Sequence, residues 1–415
     1  MSHFSGLGRF GLLLLLSACA AEPPPRNAVV IVVDTLRADA LAHAETPALD
    51  GLEQRGDRVG RAWSSGTWTA PSLVSLFTGM HVREHGWDFG FRGSRRDRAT
   101  AFPYLPDVPT LGGVLRDAGF ETTGIFASRV LAWNLGFERG FGRWRRSIDR
   151  EIPRLVREEV AGWRPGERHF LYVHLMGPHQ PLRPSPAAAA RWDIAEDLRD
   201  HPLGLSLHWA RKLPADDWLA GASLYRRGYW AVVEDTDARI GEILEALGPH
   251  LEDSVVVVTS DHGEMLGEQF QFGHRRWLFE PLTEIPLIAV GAGRLPETLT
   301  LAAVPDLLTR ALGIDHPWPV RVDGEEPLVS QRQGGMALSR DGRFKAIWEP
   351  NGTLSEVYDL SERPLEEQGH PERAPTLAAA RQAFLERVPA GRVEEREARQ
   401  GADIDEALRA LGYAQ

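Results

Sequence analysis

The strongest constraint on the fold is a set of short apolar, β-branched runs that recur along the chain. The first, Ala28–Val33, reads AVVIVV and is followed directly by Asp34. A continuous run of this kind is typical of a strand that is buried on both faces, as strands of parallel sheets are. Similar runs occur at Thr122–Phe126, His169–His174, Val255–Thr259 and Ile285–Val290.

Helical patterns separate these runs. Apolar residues at helical spacing predict helices over Thr110–Ala118 and Tyr229–Leu247, and Gly248-Pro249 follows the second as a stop signal. Strands that alternate with helices predict the α/β class, here a large α/β/α sandwich with a mostly parallel central sheet. Sheets of this type bind their ligands beyond the carboxyl ends of the strands.

The C-terminal part of the sequence has a different pattern. A boundary in Val320–Gln333 is followed by β-like segments at Arg343–Trp348 and Ser355–Leu360, and then by a helical segment at Ala374–Arg387. We therefore expect a small C-terminal α+β subdomain. The predicted limits are a catalytic domain over 27–325, the subdomain over 326–390 and a charged tail over 391–415.

The N-terminal segment resembles an export signal. Arg9 precedes the apolar run Gly11–Leu16, which is too short to span a bilayer but has the length of a secretory signal core. Small residues before Cys19, the single cysteine of the chain, resemble a bacterial lipoprotein signal with the lipid on the sulfur. A plain signal peptide that contains a cysteine is the alternative. We expect a signal over 1–19, a tether over 20–26, and a lipid-anchored protein of the bacterial cell envelope, at a periplasmic or outer-membrane surface.

Three polar positions indicate a metal site. Asp34 and the pair Asp261-His262 each follow a predicted strand, so they are expected at the same edge of the sheet. Together with the hydroxyl of Thr69 they form a mixed oxygen and nitrogen set that suits one divalent ion such as Mn, Zn, Ca or Mg. Thr69 precedes Ala70, Pro71 and a helical run, which places it at a helix N terminus, where an oxyanion is favoured. A simple N-cap role for Thr69 is the alternative.

The order of the motifs DTLRAD, TAPSLVSLFTG, PHQP, TSDHGE and FGHRRWLFE is similar to that of the sulfatase family, within the alkaline phosphatase superfamily. The family signature is Cys (or Ser)-x-Pro-Ser-Arg, whereas this chain reads Thr69-Ala70-Pro71-Ser72-Leu73. Sulfatases oxidise that cysteine or serine to formylglycine, an aldehyde that threonine cannot form. The resemblance therefore implies a variant with Thr69 as the nucleophile and without formylglycine.

The resemblance also implies roles for individual residues. His179, in PHQP, matches the family histidine that contacts the leaving group, and imidazole is a suitable general acid near neutral pH. His274 falls at the position of a family lysine, so we expect it to act in catalysis and in substrate binding. Arg129 is a candidate replacement for a further family cation. The implied metal ligands are Asp34, Asp261, His262 and Thr69.

The expected function is a metal-dependent hydrolase of phosphate or sulfate esters that works through a covalent intermediate on Thr69, with phosphodiesters or phosphonate esters preferred. A transferase would share the first half-reaction. The alternatives are a sulfate-ester hydrolase without formylglycine and a catalytically silent, anion-binding surface lipoprotein. The expected substrate is an anionic ester of a small molecule, a glycan or a lipid. The net charge of −11 argues against nucleic acid as a general partner.

Overall fold

The computed structural model describes residues 24–88, 101–132, 135–195, 218–274, 276–324, 326–361 and 370–397. Cys19, with the predicted signal over 1–19 and the first part of the tether, lies outside these ranges. Within them, no helix combines the length and the apolar character that a bilayer crossing requires.

The strands and helices follow the alternation predicted from the sequence. In chain order the strands are β1 (Asn27–Val33), β2 (Asp57–Arg58), β3 (Arg61–Trp63), β4 (Ala101–Tyr104), β5 (Phe120–Phe126), β6 (Arg143–Arg146), β7 (Arg168–Leu175), β8 (Ser254–Ser260), β9 (Met265–Leu266), β10 (Phe272–Gly273), β11 (Glu284–Ile285), β12 (Leu287–Val290), β13 (Thr298–Thr300), β14 (Leu328–Arg332), β15 (Gly335–Ser339), β16 (Phe344–Trp348), β17 (Leu354–Asp359) and β18 (Glu394–Glu397). The α-helices are α1 (Ala40–His43), α2 (Pro47–Arg55), α3 (Thr69–Thr78), α4 (Val82–His85), α5 (Leu111–Asp117), α6 (Ile152–Val160), α7 (Pro186–Arg191), α8 (Trp218–Leu247), α9 (Glu280–Thr283), α10 (Val304–Ala311) and α11 (Ala374–Arg387).

The central sheet has seven strands in the spatial order β2-β12-β8-β1-β7-β5-β6. The five strands from β8 to β6 run parallel, whereas β12 and β2 at the other side are antiparallel to their neighbours. Both faces of β1 are covered: Val30 packs in the core that includes Phe77 of α3, and Ile31 in the core that includes Tyr229 of α8. The predicted α/β/α sandwich with a mostly parallel sheet is therefore confirmed.

A separate four-stranded antiparallel sheet, β14-β15-β16-β17, forms the C-terminal subdomain, and α11 packs on it. Its buried Lys345 reaches the preceding part of the chain, where Nζ lies 2.9 Å from Glu280 Oε2 and 3.2 Å from Thr283 Oγ1. The small α+β subdomain predicted from the sequence is confirmed as an architectural unit.

Three predicted segments differ from the structure. The run Ile285–Val290 is divided between β11 and β12, which belong to different sheets, with Pro286 between them. The helix predicted from Tyr229 begins at Trp218. The predicted tail contains β18, which pairs antiparallel with β4, so this charged segment is held by backbone hydrogen bonds that its composition does not reveal.

Candidate active site

The ends of β1 and β8 bring Asp34 and Asp261 together. The two strands are parallel and in register, with Val33 opposite Ser260, so the next residue of each strand lies at the same edge of the sheet. His262 follows, and its Nε2 lies 3.7 Å from Asp34 Oδ1 and 3.6 Å from Asp261 Oδ2. All three side chains are buried. Among the described residues, they are the group whose arrangement could hold a metal ion.

The donor atoms of this cluster fit a divalent cation. Asp34 Oδ1 and Asp261 Oδ2 are buried and have no hydrogen-bond partner among the described residues. His262 Nδ1 donates to the carbonyl oxygen of Gly263 at 2.8 Å, which leaves the Nε2 lone pair available as a ligand. Ligand atoms around one ion at about 2.0–2.6 Å lie roughly 3–4 Å apart. The two distances from His262 Nε2 to the carboxylates fall in this range, and one ligand atom from each of the three residues lies within 4.8 Å of the others. Gly263 is needed here, since a Cβ would lie 2.0 Å from the Pro281 carbonyl oxygen.

The cluster is electrostatically costly without a cation. Burial, followed by the charges of Asp261 and Glu264, raises the pKa of Asp34 well above its usual range. Asp261 Oδ1 is held in place by backbone donors, the N–H of Thr35 at 3.2 Å and that of His262 at 2.9 Å. Asp261 Oδ1 is thus fixed by the backbone, and Asp261 Oδ2 is left for a ligand.

Thr69 is the first residue of α3, and its side chain faces the cluster. Its Oγ1 donates to Asp34 Oδ2 at 3.4 Å and lies 3.5 Å from His262 Nε2. The N-cap residue is Trp68, so the alternative of Thr69 as a simple N-cap is wrong. The side chain of Trp68 makes no capping hydrogen bond to this helix, and the N–H groups of a helix's first turn suit an anion.

Two further histidines extend the site. The ring centroid of His274 lies 4.6 Å from that of His262 and 5.3 Å from that of His179. His274 Nδ1 is 3.2 Å from Oε1 of the buried Glu264. His179 Nδ1 donates to the Gln180 carbonyl oxygen at 2.7 Å, so this bond does not involve Nε2. Burial, followed by the charge of His274, lowers the pKa of His179 to about 3.

Arg129, the remaining predicted residue, and two other histidines, His85 and His174, have different surroundings. Arg129 follows β5 at the same edge of the sheet, but no hydrogen bond or ion pair among the described residues joins its side chain to the cluster. His85 is structural: Nδ1 accepts from the Trp87 N–H at 3.1 Å, and Nε2 lies 3.2 Å from Ser75 Oγ. His174 is fully buried at the end of β7, and neither ring nitrogen has a partner within the described ranges.

Sequence reasoning missed how the loop after β1 is held. Thr35 has φ of +62°, a conformation that β-branched residues rarely adopt. Tyr229 stabilises it, because its hydroxyl donates to the Thr35 carbonyl oxygen at 2.6 Å and accepts from the Arg37 N–H at 3.0 Å. Arg37 in turn pairs with Glu268 at 2.8 Å. The arginine is visible in DTLRAD, whereas nothing in the helical pattern around Tyr229 indicates its contact.

Comparison with known proteins identifies a single family. The family model described as "Sulfatase" matches residues 26–313. Arylsulfatase K of Rattus norvegicus is 23% identical over 378 residues, which cover 75% of this chain and 62% of that protein. The uncharacterized sulfatase YidJ of Escherichia coli is 23% identical over 356 residues, with 71% and 67% of the two chains covered. The chain thus spans less than two thirds of the length of arylsulfatase K.

Solved structures share the fold. BT4656, determined in complex with its substrate D-glucosamine-2-N,6-O-disulfate, aligns with a TM-score of 0.66 at 17% identity, covering 88% of this chain and 97% of that one. A phosphonate monoester hydrolase of Agrobacterium radiobacter aligns with a TM-score of 0.63 at 18% identity, covering 87% and 95%. At these identities the likeness concerns the fold.

Proposed function

This chain belongs to the sulfatase family, and from that membership and the site geometry we propose that it is a metal-dependent hydrolase of phosphate or sulfate esters that uses Thr69 as its nucleophile. The observation that carries the proposal is the position of Thr69 Oγ1, 3.4 Å from Asp34 Oδ2 and 3.5 Å from His262 Nε2. A hydroxyl needs an adjacent base or a cation to become nucleophilic, and this one lies beside the cation-binding cluster.

Asp34, Asp261 and His262 would hold the divalent ion, which would lower the pKa of the Thr69 hydroxyl and offset the charge of a bound anion. Mn, Zn, Ca and Mg all remain compatible with two carboxylates, one imidazole and one hydroxyl. The two buried carboxylate oxygens without partners support this role, because an isolated buried charge is otherwise unfavourable.

The Thr69 hydroxyl first loses its proton to solvent. Its Oγ1 then attacks the phosphorus or sulfur atom and forms a new bond to it, while the bond between that atom and the leaving oxygen breaks. The first-turn N–H groups of α3 bind the non-bridging oxygens, where negative charge accumulates. Water then attacks the group held on Thr69 and releases it as the free acid. If an alcohol replaces water, the same intermediate gives transfer instead of hydrolysis.

His179 is the proposed general acid, which donates a proton to the leaving oxygen through Nε2. In the free protein its pKa of about 3 keeps the ring neutral near neutral pH. A bound anionic ester would raise this pKa, since a nearby negative charge favours the imidazolium form. His274, held by Glu264, neighbours both His179 and the proposed metal ligand His262 and is suited to contact the same anion.

Phosphodiesters and phosphonate esters are the preferred substrates in this proposal, because the threonine at position 69 cannot form the aldehyde that sulfatases use. The fold that the chain shares with a phosphonate monoester hydrolase is consistent with this preference. A sulfate-ester hydrolase without formylglycine is the second candidate, supported by the family itself. Attachment to the cell envelope through Cys19 belongs to the proposal as well, and labelling with a fatty acid analogue tests it against Cys19→Ser.

The test is a panel of phosphate monoesters, phosphodiesters, phosphonate esters and sulfate esters, each assayed with Mn, Zn, Ca and Mg. We expect turnover of at least one class with at least one ion, loss of that turnover in Thr69→Ala, and partial retention in Thr69→Ser, which keeps the hydroxyl. Full turnover in Thr69→Ala would refute the nucleophile. A metal-loaded wild-type protein that turns over no ester would refute the enzyme and favour a silent anion-binding protein.

A further inference from the structure

The segment that carries His179 is anchored by an aspartate outside the sequence motifs. Asp149 begins a short 3₁₀ helix, Asp149–Glu151, that follows β6 at the edge of the central sheet. Its Oδ1 accepts from the N–H of Met176 at 2.9 Å, and its Oδ2 accepts from the N–H of Gly177 at 2.9 Å. Since β5 lies between β6 and β7, this carboxylate reaches across the end of β5 to the loop that follows β7.

The hydrogen bonds continue from this anchor to the imidazole. The Met176 carbonyl oxygen accepts from the N–H of His179 at 2.9 Å, which closes a tight turn over residues 176–179. Gly177 has φ of +44°, and a Cβ there would lie 2.7 Å from Val33 Cγ1, so the turn packs directly against the end of β1. The turn cannot shift towards the sheet, and Asp149 prevents it from moving away.

We propose that Asp149 is a positioning residue that fixes the His179 imidazole for proton transfer to the leaving group, an inference that rests on the proposed function. Both carboxylate oxygens are occupied by backbone donors, so its role is to hold the turn. An asparagine offers one acceptor oxygen and turns an N–H₂ group towards a backbone N–H, which loses one hydrogen bond and introduces a repulsion. A displacement of a catalytic group by about 1 Å can reduce the rate by roughly 100-fold.

The chain provides a matched control. Asp237 also accepts from two successive backbone N–H groups, those of Ala48 at 2.9 Å and Leu49 at 3.0 Å, but these belong to α2 and not to the His179 turn. Asp237→Asn therefore makes the same chemical change in a similar hydrogen-bonding arrangement. It should leave the leaving-group dependence of the reaction as in the wild type.

The first measurement is hydrogen exchange of the backbone amides of Met176 and Gly177 in the full-length protein. We expect faster exchange at these amides in Asp149→Asn and wild-type protection there in Asp237→Asn. Unchanged protection in Asp149→Asn would overturn the inference without reference to activity.

The second measurement compares phenyl and 4-nitrophenyl esters of the same acid with metal-loaded protein. The more basic phenolate needs a proton more than the nitrophenolate does, so we expect Asp149→Asn to lower kcat for the phenyl ester roughly 10–100-fold more than for the nitrophenyl ester. In the His179→Ala background the same change should have little further effect, because both substitutions remove one function. Additive losses in the double variant, or equal losses on both esters in Asp149→Asn, would overturn the inference. Absence of the leaving-group effect in His179→Ala would count instead against the proposed general acid.

Discussion

Removal of the divalent ion should destabilise the protein, because the proposed ion site of Asp34, Asp261 and His262 is assembled only in the folded chain. An ion that binds only the folded chain, at about 100 times its Kd, adds about 2.7 kcal/mol to the free energy of unfolding. The family match over residues 26–313 comprises 313 − 26 + 1 = 288 residues. At about 2.1 cal/mol/K per residue, such a unit has an unfolding entropy of about 0.6 kcal/mol/K. The ion-loaded protein should therefore melt roughly 4–5 °C above the ion-free protein.

The effect should grow with pH. The pKa of Asp34 is raised in the folded chain by burial and by Asp261, whereas in the unfolded chain it lies near 3.8. Between these values the metal-free folded chain holds a proton that the unfolded chain has lost, so its stability falls as pH rises. An ion needs the ionised carboxylate and displaces that proton. At a fixed ion concentration, the metal-induced shift should therefore be larger at about pH 8 than at about pH 5.

Differential scanning calorimetry of chelator-treated and ion-loaded protein measures both effects. Asp261→Asn should lose the metal response while keeping or raising the metal-free melting temperature, because it removes a charge that repels Asp34 but retains the acceptor for the Thr35 and His262 N–H groups. Asp237→Asn, outside the cluster, should keep the full metal response. An equal response in Asp261→Asn and wild type would refute the assignment of this cluster as the ion site.

Three further perturbations concern stability. Although burial alone would raise the pKa of Glu326, hydrogen bonding to His81 and the charge of Arg321 lower it to about 2. The ionised carboxylate therefore contributes about 3 kcal/mol to the free energy of unfolding above about pH 4.5, and this contribution is lost as the pH falls towards 2. Urea unfolding at neutral pH and near pH 2 should show that Glu326→Gln is destabilised only at neutral pH. Lys345→Met should cost about 3 kcal/mol in the same assay, because it leaves the partly buried partner carboxylate of Glu280 without its closest cation, and an unchanged midpoint would contradict this. Thr35→Gly should raise the unfolding free energy by about 1 kcal/mol by relieving the positive φ, and a loss of stability would show that this conformation is not strained.

The residues that the sequence placed correctly share a local signal. Asp34 directly follows a β-branched run and Asp261 lies two residues after another, and buried parallel strands of this kind align their carboxyl ends without further information. Thr69 was placed at a helix N terminus by the Pro71 that follows it, and the structure distinguishes its orientation towards Asp34 from a capping role. In each case the position depends on secondary structure alone.

The residues that the sequence did not reveal depend on tertiary contacts. Asp149 is one acid in the charged stretch RRSIDREIPR, and only the crossing of β5 brings it to the turn after β7. Thr35 adopts a left-handed conformation without any of the residue types that favour it, because Tyr229 and Asp261 hold its backbone from two sides. The division of Ile285–Val290 at Pro286 is likewise a consequence of which sheet each half can join.

The proposed ion-binding side and the proposed leaving-group side of the site are connected by the backbone. The N–H of Asp34 donates to the carbonyl oxygen of Leu175, the last residue of β7, at 2.9 Å. The next two residues, Met176 and Gly177, have the N–H groups that donate to Asp149. Asp34, the proposed metal ligand, and His179, the proposed general acid, therefore lie on segments that are joined at consecutive residues, since Asp34 is bonded to Leu175 and His179 to Met176. Because these segments follow the adjacent strands β1 and β7, a shift of either strand end would change the separation between Asp34 and His179, and with it both halves of the proposed reaction.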